Sequence, residues 1–203
     1  MNSFRYFLRL GKNMILILST LSCITFNLKS TNAKEIHHVL GEKKIDKINP
    51  SQISFLPKHI ISELTKRKCL IPQTFQYNHS KYENVIKGEF EKTGQKDWAI
   101  LCSQNGFSSI LIFWNSSLNR IAEIAKQKDS AYLQGVSGIN GKKFGYSRKI
   151  SVAQKYYVER KLPLYKGLKL TIKHQGIDDA FLMKSSEIHY YFNKKLFLIP
   201  GAD

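Results

Sequence analysis

The tightest gathering of chemically capable side chains in this 203-residue chain is the run HQGIDDA, from His174 through Asp178 and Asp179 to Ala180. A carboxylate beside an imidazole can serve general acid–base hydrolysis or hold a metal, and both uses need the groups to converge on one point. His174 precedes Asp178 by four residues, and His189 stands further along as a distant partner. Adjacent aspartates diverge on a strand but can project together in a turn. Gly176 just ahead of them makes an Asp-rich turn or a helix cap the leading expectation for this stretch. An exported hydrolase, or an effector, using His174, Asp178, Asp179 and His189 is the alternative. The chain has no Ser-His-Asp order, HExxH helix or Cys-His pair, and GINGKKFG at residues 138–145 lacks the spacing and the hydroxyl of a phosphate loop.

The second chemical resource is charge. Thirty-two Lys and Arg oppose fifteen Asp and Glu, a formal net charge of +17. Lys155, Arg160, Lys161, Lys166, Lys169 and Lys173 form a basic series threaded with Tyr156, Tyr157 and Tyr165. Such a series suits an anionic surface, whether phospholipid or lipopolysaccharide heads, a cell-wall polymer, nucleic acid or an acidic protein. Nucleic acid would need the lysines and tyrosines on one face, and export argues against it.

Export is read from residues 1–33, where Arg5, Arg9 and Lys12 precede an apolar run over residues 14–26 and Ser30-Thr31-Asn32-Ala33 offers a cleavage site. The run is too short to span a bilayer comfortably, so cleavage after Ala33 would leave no transmembrane segment and a periplasmic or secreted product, with lipidation at Cys23 or a retained anchor as the alternatives. Removing Arg5, Arg9, Lys12 and Lys29 lowers the charge from +17 by four, to +13. Cys23 also departs, leaving Cys69 and Cys102 to pair in an oxidising compartment, with two buried free thiols as the other outcome.

The elements that must position these groups follow from periodicity. Within residues 83–114, Val85, Ile86 and Phe90, then Trp98, Ile100 and Cys102, then the apolar run SSILIFW from Ser108 to Trp114 read as three strands. Gly94-Gln95 and Asn105-Gly106 are the turns, so the stretch is an antiparallel meander. Residues 55–69 carry Leu56, Ile60, Ile61 and Leu64 at helical spacing, with Pro57 at the start and Lys66, Arg67 and Lys68 at the end. Residues 119–134 fit a helix face or a return strand, with the strand favoured, and residues 135–145 are a glycine-rich loop. Residues 151–162 read as a second helix with Ser151 as its cap and Pro163 as its stop. Glu187 to Phe192 and Leu196 to Ile199, joined by Asn193-Lys194-Lys195, make a closing hairpin with His189 on the face opposite Ile188 and Tyr190.

Within the meander, GEFEKTGQKDWAIL at residues 88–101 resembles one hairpin of the FG-GAP or VCBS type repeat. The family's loop acids fall on Glu89, Glu91 and Thr93, its glycine on Gly94 and its last acid on Asp97. The resemblance implies a calcium site built on Glu89, Glu91 and Asp97, with one oxygen reduced to a hydroxyl, where calcium takes six to eight oxygens. HQGIDDAFL is the only further echo, so a propeller of repeats is rejected. GQKDWAILCS together with GIDDAFL is also similar to a group of secreted bacterial proteins of unassigned activity.

The expectation is thus a signal peptide at 1–33, a flexible leader or loosely attached strand at 34–52 and one α+β domain at 53–203, with an antiparallel meander, two amphipathic helices, a C-terminal β-hairpin and one disulfide. Its function is expected to be non-enzymatic binding of an anionic envelope component or a protein partner, with no cofactor beyond the implied calcium.

Overall fold

The structure, a computed structural model, describes residues 45–136, 144–164 and 170–202. Residues 1–44, where the signal peptide and most of the leader are expected, most of the glycine-rich loop, Tyr165, Lys166 and Lys169 lie outside the described residues. The fold is α+β and mostly antiparallel sheet.

The chain enters through strand β1 (Lys47–Ile48), which pairs with β2 (Ile71–Pro72). Residues 45–52 are therefore built into the domain, because Ile45 and Ile53 are buried and Asn49 caps a single turn at Pro50–Gln52. For residues 45–52 this replaces the flexible-leader reading with its alternative, an attached strand. Between β1 and β2 lies helix α1 (Lys58–Lys66), whose Ile60 and Leu64 are fully buried. Lys68 takes a left-handed backbone (φ 56°), and the Cys69 amide returns to the Leu64 carbonyl at 2.9 Å. That reversal ends the helix and turns Cys69 toward the sheet.

The first sheet runs β3 (Val85–Gly88), β4 (Asp97–Gln104), β5 (Phe107–Phe113) and β6 (Ile121–Lys128), each antiparallel to its neighbour. Asn105 and Gly106, with φ of 51° and 77°, form the tight β4–β5 turn, where glycine meets the left-handed requirement at no steric cost. Strand β6 is the return strand favoured from the sequence. Alternation sorts the two faces: Val85, Trp98, Ile100, Cys102, Leu111 and Phe113 pack with Ile60 and Leu64 of α1, while Ala99, Leu101, Ile110, Ile112 and Trp114 face the other way. Burial on both faces explains why SSILIFW carries no polar alternation.

A short ribbon of β7 (Leu133–Gly135) and β8 (Phe144–Tyr146) leads to the second sheet. It is also a four-stranded meander: β9 (Arg148–Ala153), β10 (Gly176–Phe181), β11 (Ser185–Phe192) and β12 (Lys195–Pro200). One face, with Ile150 and Ile177, packs on the first sheet, and the opposite face, with Ile188, Tyr190 and Ile199, packs on helix α2 (Lys155–Lys161) through Val158. The layers therefore run helix, sheet, sheet, helix.

Two expectations change here. Ser151–Ala153 belong to β9, so α2 is shorter than read and Gln154 precedes it without a side-chain cap. Asp178 and Asp179 lie mid-strand in β10 and not in a turn, because the strand has partners on both sides. The closing hairpin forms at the expected place, with Asn193 and Lys194 both at positive φ in its turn.

Cys69 and Cys102 are disulfide-bonded, with Cα atoms 5.3 Å apart, tying the end of α1 to β4 across 33 residues. Reduction, or Cys69→Ser with Cys102→Ser, should lower stability by about 3 to 4 kcal/mol. Urea denaturation with and without reductant measures it.

Candidate functional site

A groove of about 470 Å³ opens where the loop after β3 meets the β11–β12 turn and the chain entering β10. Lys92, Lys173 and Lys194 line it together with His174, Tyr191 and Asn193. All three lysines are exposed, and among the described residues none has an ion-pair partner.

Local hydrogen bonding builds the first wall. Asp97 is fully buried at the start of β4, and each of its oxygens accepts two hydrogen bonds. Oδ2 takes the amides of Phe90 (2.8 Å) and Glu91 (3.2 Å), and Oδ1 takes Gln95 Nε2 (2.6 Å) and the Asn115 amide (2.7 Å). The acidic hairpin is thus a latch that closes its own loop. Glu91 accepts from Gln95 Nε2 and pairs with Arg120 at 2.7 Å. Burial pushes the Glu91 carboxyl up, but Gln95, Arg120 and nearby Lys92 outweigh it and hold the pKa below the usual value. The acid in the groove wall is therefore ionised and already neutralised by Arg120.

Arg120 also donates to the Tyr191 hydroxyl at 2.9 Å and lies over the Trp114 and Tyr191 rings, fastening the first sheet to β11. The other wall is stitched on by backbone and side-chain bonds: Thr93 Oγ1 to the Lys173 carbonyl (2.8 Å), the Gln175 amide to the Glu89 carbonyl (3.0 Å) and the Glu89 amide to Gln175 Oε1 (2.9 Å). Gly88 makes the approach feasible, since a Cβ there would lie 2.6 Å from the Phe90 ring and 2.8 Å from Gln175 Oε1. His174 stacks on Tyr190 at 4.5 Å, and its Nδ1 lies 2.8 Å from the Gln175 carbonyl, so Nδ1 carries the proton. The lysines are thereby held around a common space by a rigid frame.

The residues singled out from sequence are distributed as follows. Asp179 and His189 meet between the two sheets, with Nε2 3.5 Å from Oδ2. Asp178 points to the opposite face of β10, where Ser151 Oγ lies 3.4 Å from it, and burial raises its pKa. His174 stands apart in the lysine groove, so the four groups of the hydrolase reading do not converge. Asp179 instead grips Arg148, a fully buried guanidinium, at 2.9 and 2.7 Å. Among the described residues no group of three or more His, Cys, Asp or Glu is placed to hold a metal, and Asp97 and Glu91 are engaged by protein donors.

The basic series also divides. Arg160 and Lys161 lie over the Tyr157 ring, Lys155 is 3.7 Å from Glu159, and of the described members Lys173 lines the groove. Lys92 and Lys194 were not legible as site residues, because Lys92 lies between the acidic-loop positions Glu91 and Thr93 and Lys194 in the closing turn, with nothing local to single either out. Comparison with protein-family models, curated proteins and solved structures gives no match to this chain.

Two outcomes test these assignments. Asp97→Ala should cost about 3 kcal/mol, since it strips a charged acceptor from buried donors. The loss should be the same in calcium and in chelator, checked by thermal unfolding; a calcium-dependent difference would restore the metal reading. Burial opposes ionisation of Asp179, but His189 and Arg148 outweigh it and depress the pKa. A depressed carboxyl stabilises the fold above its unfolded pKa, and that contribution is lost as pH falls through the folded pKa. Asp179→Asn should therefore weaken the acid dependence of stability and cost about 3 to 5 kcal/mol at neutral pH, because Arg148 is left buried and unpaired. Urea titrations at neutral and acidic pH measure both.

Proposed function

We propose that this protein is an exported, strongly basic, non-enzymatic binding protein for an anionic component of the cell envelope, and that the Lys92, Lys173 and Lys194 groove receives it. The observation that carries this reading is the convergence of three lysines, none ion-paired among the described residues, on one groove whose acid, Glu91, is already neutralised by Arg120. Lysine ammonium groups act as point charges toward phosphate, sulfate or carboxylate. The Tyr191 ring beside them suits the apolar or sugar portion that carries such an anion. The net charge adds long-range attraction to any anionic surface. The disulfide agrees with an oxidising compartment, and among the described residues no helix is long and apolar enough to cross a membrane.

The test is co-sedimentation of the protein lacking residues 1–33 with anionic envelope fractions over a range of salt. Retention should fall steeply as salt rises. Lys92→Glu, Lys173→Glu and Lys194→Glu combined should weaken retention by about a hundredfold, at roughly 1 kcal/mol per lysine near an anionic surface, with the melting temperature unchanged. Equal retention of the triple variant would overturn the assignment of the groove.

A further inference from the structure

A second groove, of about 480 Å³, lies on a different part of the surface between the outer edges of β3 and β9. Each of these strands is the edge of its sheet, and they do not pair with each other. What joins them is a side chain. Asn84 is 1% exposed, with φ of 65°, and its amide bridges to the second sheet. Its Nδ2 donates to the Arg148 carbonyl (3.2 Å) and its Oδ1 accepts from the Ile150 amide (2.9 Å). One side-chain amide thus does for β9 what one residue of a neighbouring strand would do.

The same two bonds fix which backbone groups of β9 face outward. Residues 148 and 150 turn their amides and carbonyls away from β10, so by the two-residue repeat Val152 does too. Beyond Asn84, the Ile150 carbonyl and both polar backbone groups of Val152 face the side on which β9, an edge strand, has no ladder partner. On β3 the Leu101 amide bonds to the Asn84 carbonyl, which places residues 84 and 86 toward β4 and leaves Val85 and Lys87 facing out. Two open strand edges therefore border one groove, started by an amide that already imitates a strand.

The outer wall of the groove is held in place. The Gln73 side chain bonds the Glu83 backbone in both directions, at 3.2 and 2.8 Å, and Thr74 holds the Glu83 carboxylate. Lys149 pairs with Glu83 at 2.7 Å, and burial, which would raise the Glu83 pKa, is outweighed by Lys149 and Thr74 so that the acid stays ionised. Lys81 lines the same groove with no ion-pair partner among the described residues, and Tyr77 and Tyr82 supply ring surface. With Glu83 spent on Lys149, the surplus charge of the wall is positive.

We propose that this groove binds an extended acidic peptide segment of a partner protein, which adds as a strand to the Ile150–Val152 edge of β9 in continuation of the Asn84 amide. Backbone hydrogen bonds to Ile150 and Val152 supply affinity, and Lys81 selects acidic side chains. This surface is separate from the lysine groove of the proposed function and stands or falls independently of it.

The probe is a pool of capped heptapeptides alternating Asp with Val, Ile, Thr or Tyr, presented to the protein lacking residues 1–33 and followed by amide NMR and hydrogen exchange. Binding should shift the amides of residues 149–153 and 85–87 and slow exchange at Val152. Methylating alternate peptide nitrogens should weaken binding by at least about tenfold, because it removes the donors a strand needs, and replacing Asp by Lys should weaken it similarly. Val152→Pro, which deletes an outward amide on an edge strand, should abolish the peptide-induced shifts at residues 149–151 and 85–87 without loss of the near-ultraviolet signature of the fold. No binding by any member at millimolar concentration, binding indifferent to N-methylation, or shifts confined to the Lys92 region would each overturn the proposal. Shifts at these amides with polyphosphate alone would overturn it as well, by assigning the groove to a simple anion.

Discussion

The buried ion pair of Arg148 and Asp179 is the contact on which the association of the two sheets depends. Removing a guanidinium from water costs several kcal/mol unless its donors are used. Here Asp179 takes two bonds, Ser108 accepts through its carbonyl and hydroxyl oxygens at 3.0 and 3.1 Å, and the Ala125 carbonyl accepts at 2.7 Å. Tyr132 covers the guanidinium, with its ring centre 4.8 Å away. One side chain on β9 therefore binds β5, β6 and β10 at once. A β-bulge makes this feasible: the β5–β6 register shifts between Ser108 and Ile110, and Ala125 adopts φ of 52°. The extra residue of a bulge leaves the ladder locally disrupted, and here the Ala125 carbonyl is free to meet Arg148.

Around that pin the interior is unevenly polar. Tyr146 bonds Ser108 at 3.0 Å, and burial pushes its hydroxyl pKa strongly upward, so it is neutral. Asp129 accepts from Lys47 at 2.8 Å and from Ser103 at 2.5 Å, which ties the entering strand β1 to the same end of the sandwich. The opposite end is closed by Arg120 on Trp114 and Tyr191 and by the Asp97 latch. Both grooves lie at such seams, where the sheets are joined by side chains and not by a continuous ladder. Rigid frames set around such gaps place charged and hydrogen-bonding groups with little entropy left to lose on binding.

The strands of the first meander were legible because each signal was local. Asn105-Gly106 meets the left-handed turn requirement by residue type alone, and the apolar run SSILIFW announces burial on both faces. Helix α1 was legible for the same reason, with Ile60 and Leu64 on one face. The HQGIDDA stretch was misread as a turn because Gly176 and paired aspartates favour turns locally, whereas β9 and β11 supply ladder partners on both sides and override that preference. Residues 45–52 were only partly legible because polar composition hid Ile45, whose burial depends on the cluster between the two sheets, built from residues remote in sequence.

Sequence by itself determined the large positive charge, the cysteine pair, the main turns and the antiparallel character, since these rest on composition and on periods of two and 3.6 residues. Only the tertiary structure decided which charges act together. Lys92, Lys173 and Lys194 lie on three separate segments, and they meet because Thr93, Gln175 and Arg120 fasten those segments. Asp178 and Asp179, adjacent in the chain, are parted to opposite faces by the strand they share. Proximity along the chain and proximity in space are set by different forces, the first by covalent geometry and the second by the packing of sheets whose strands come from distant parts of the sequence.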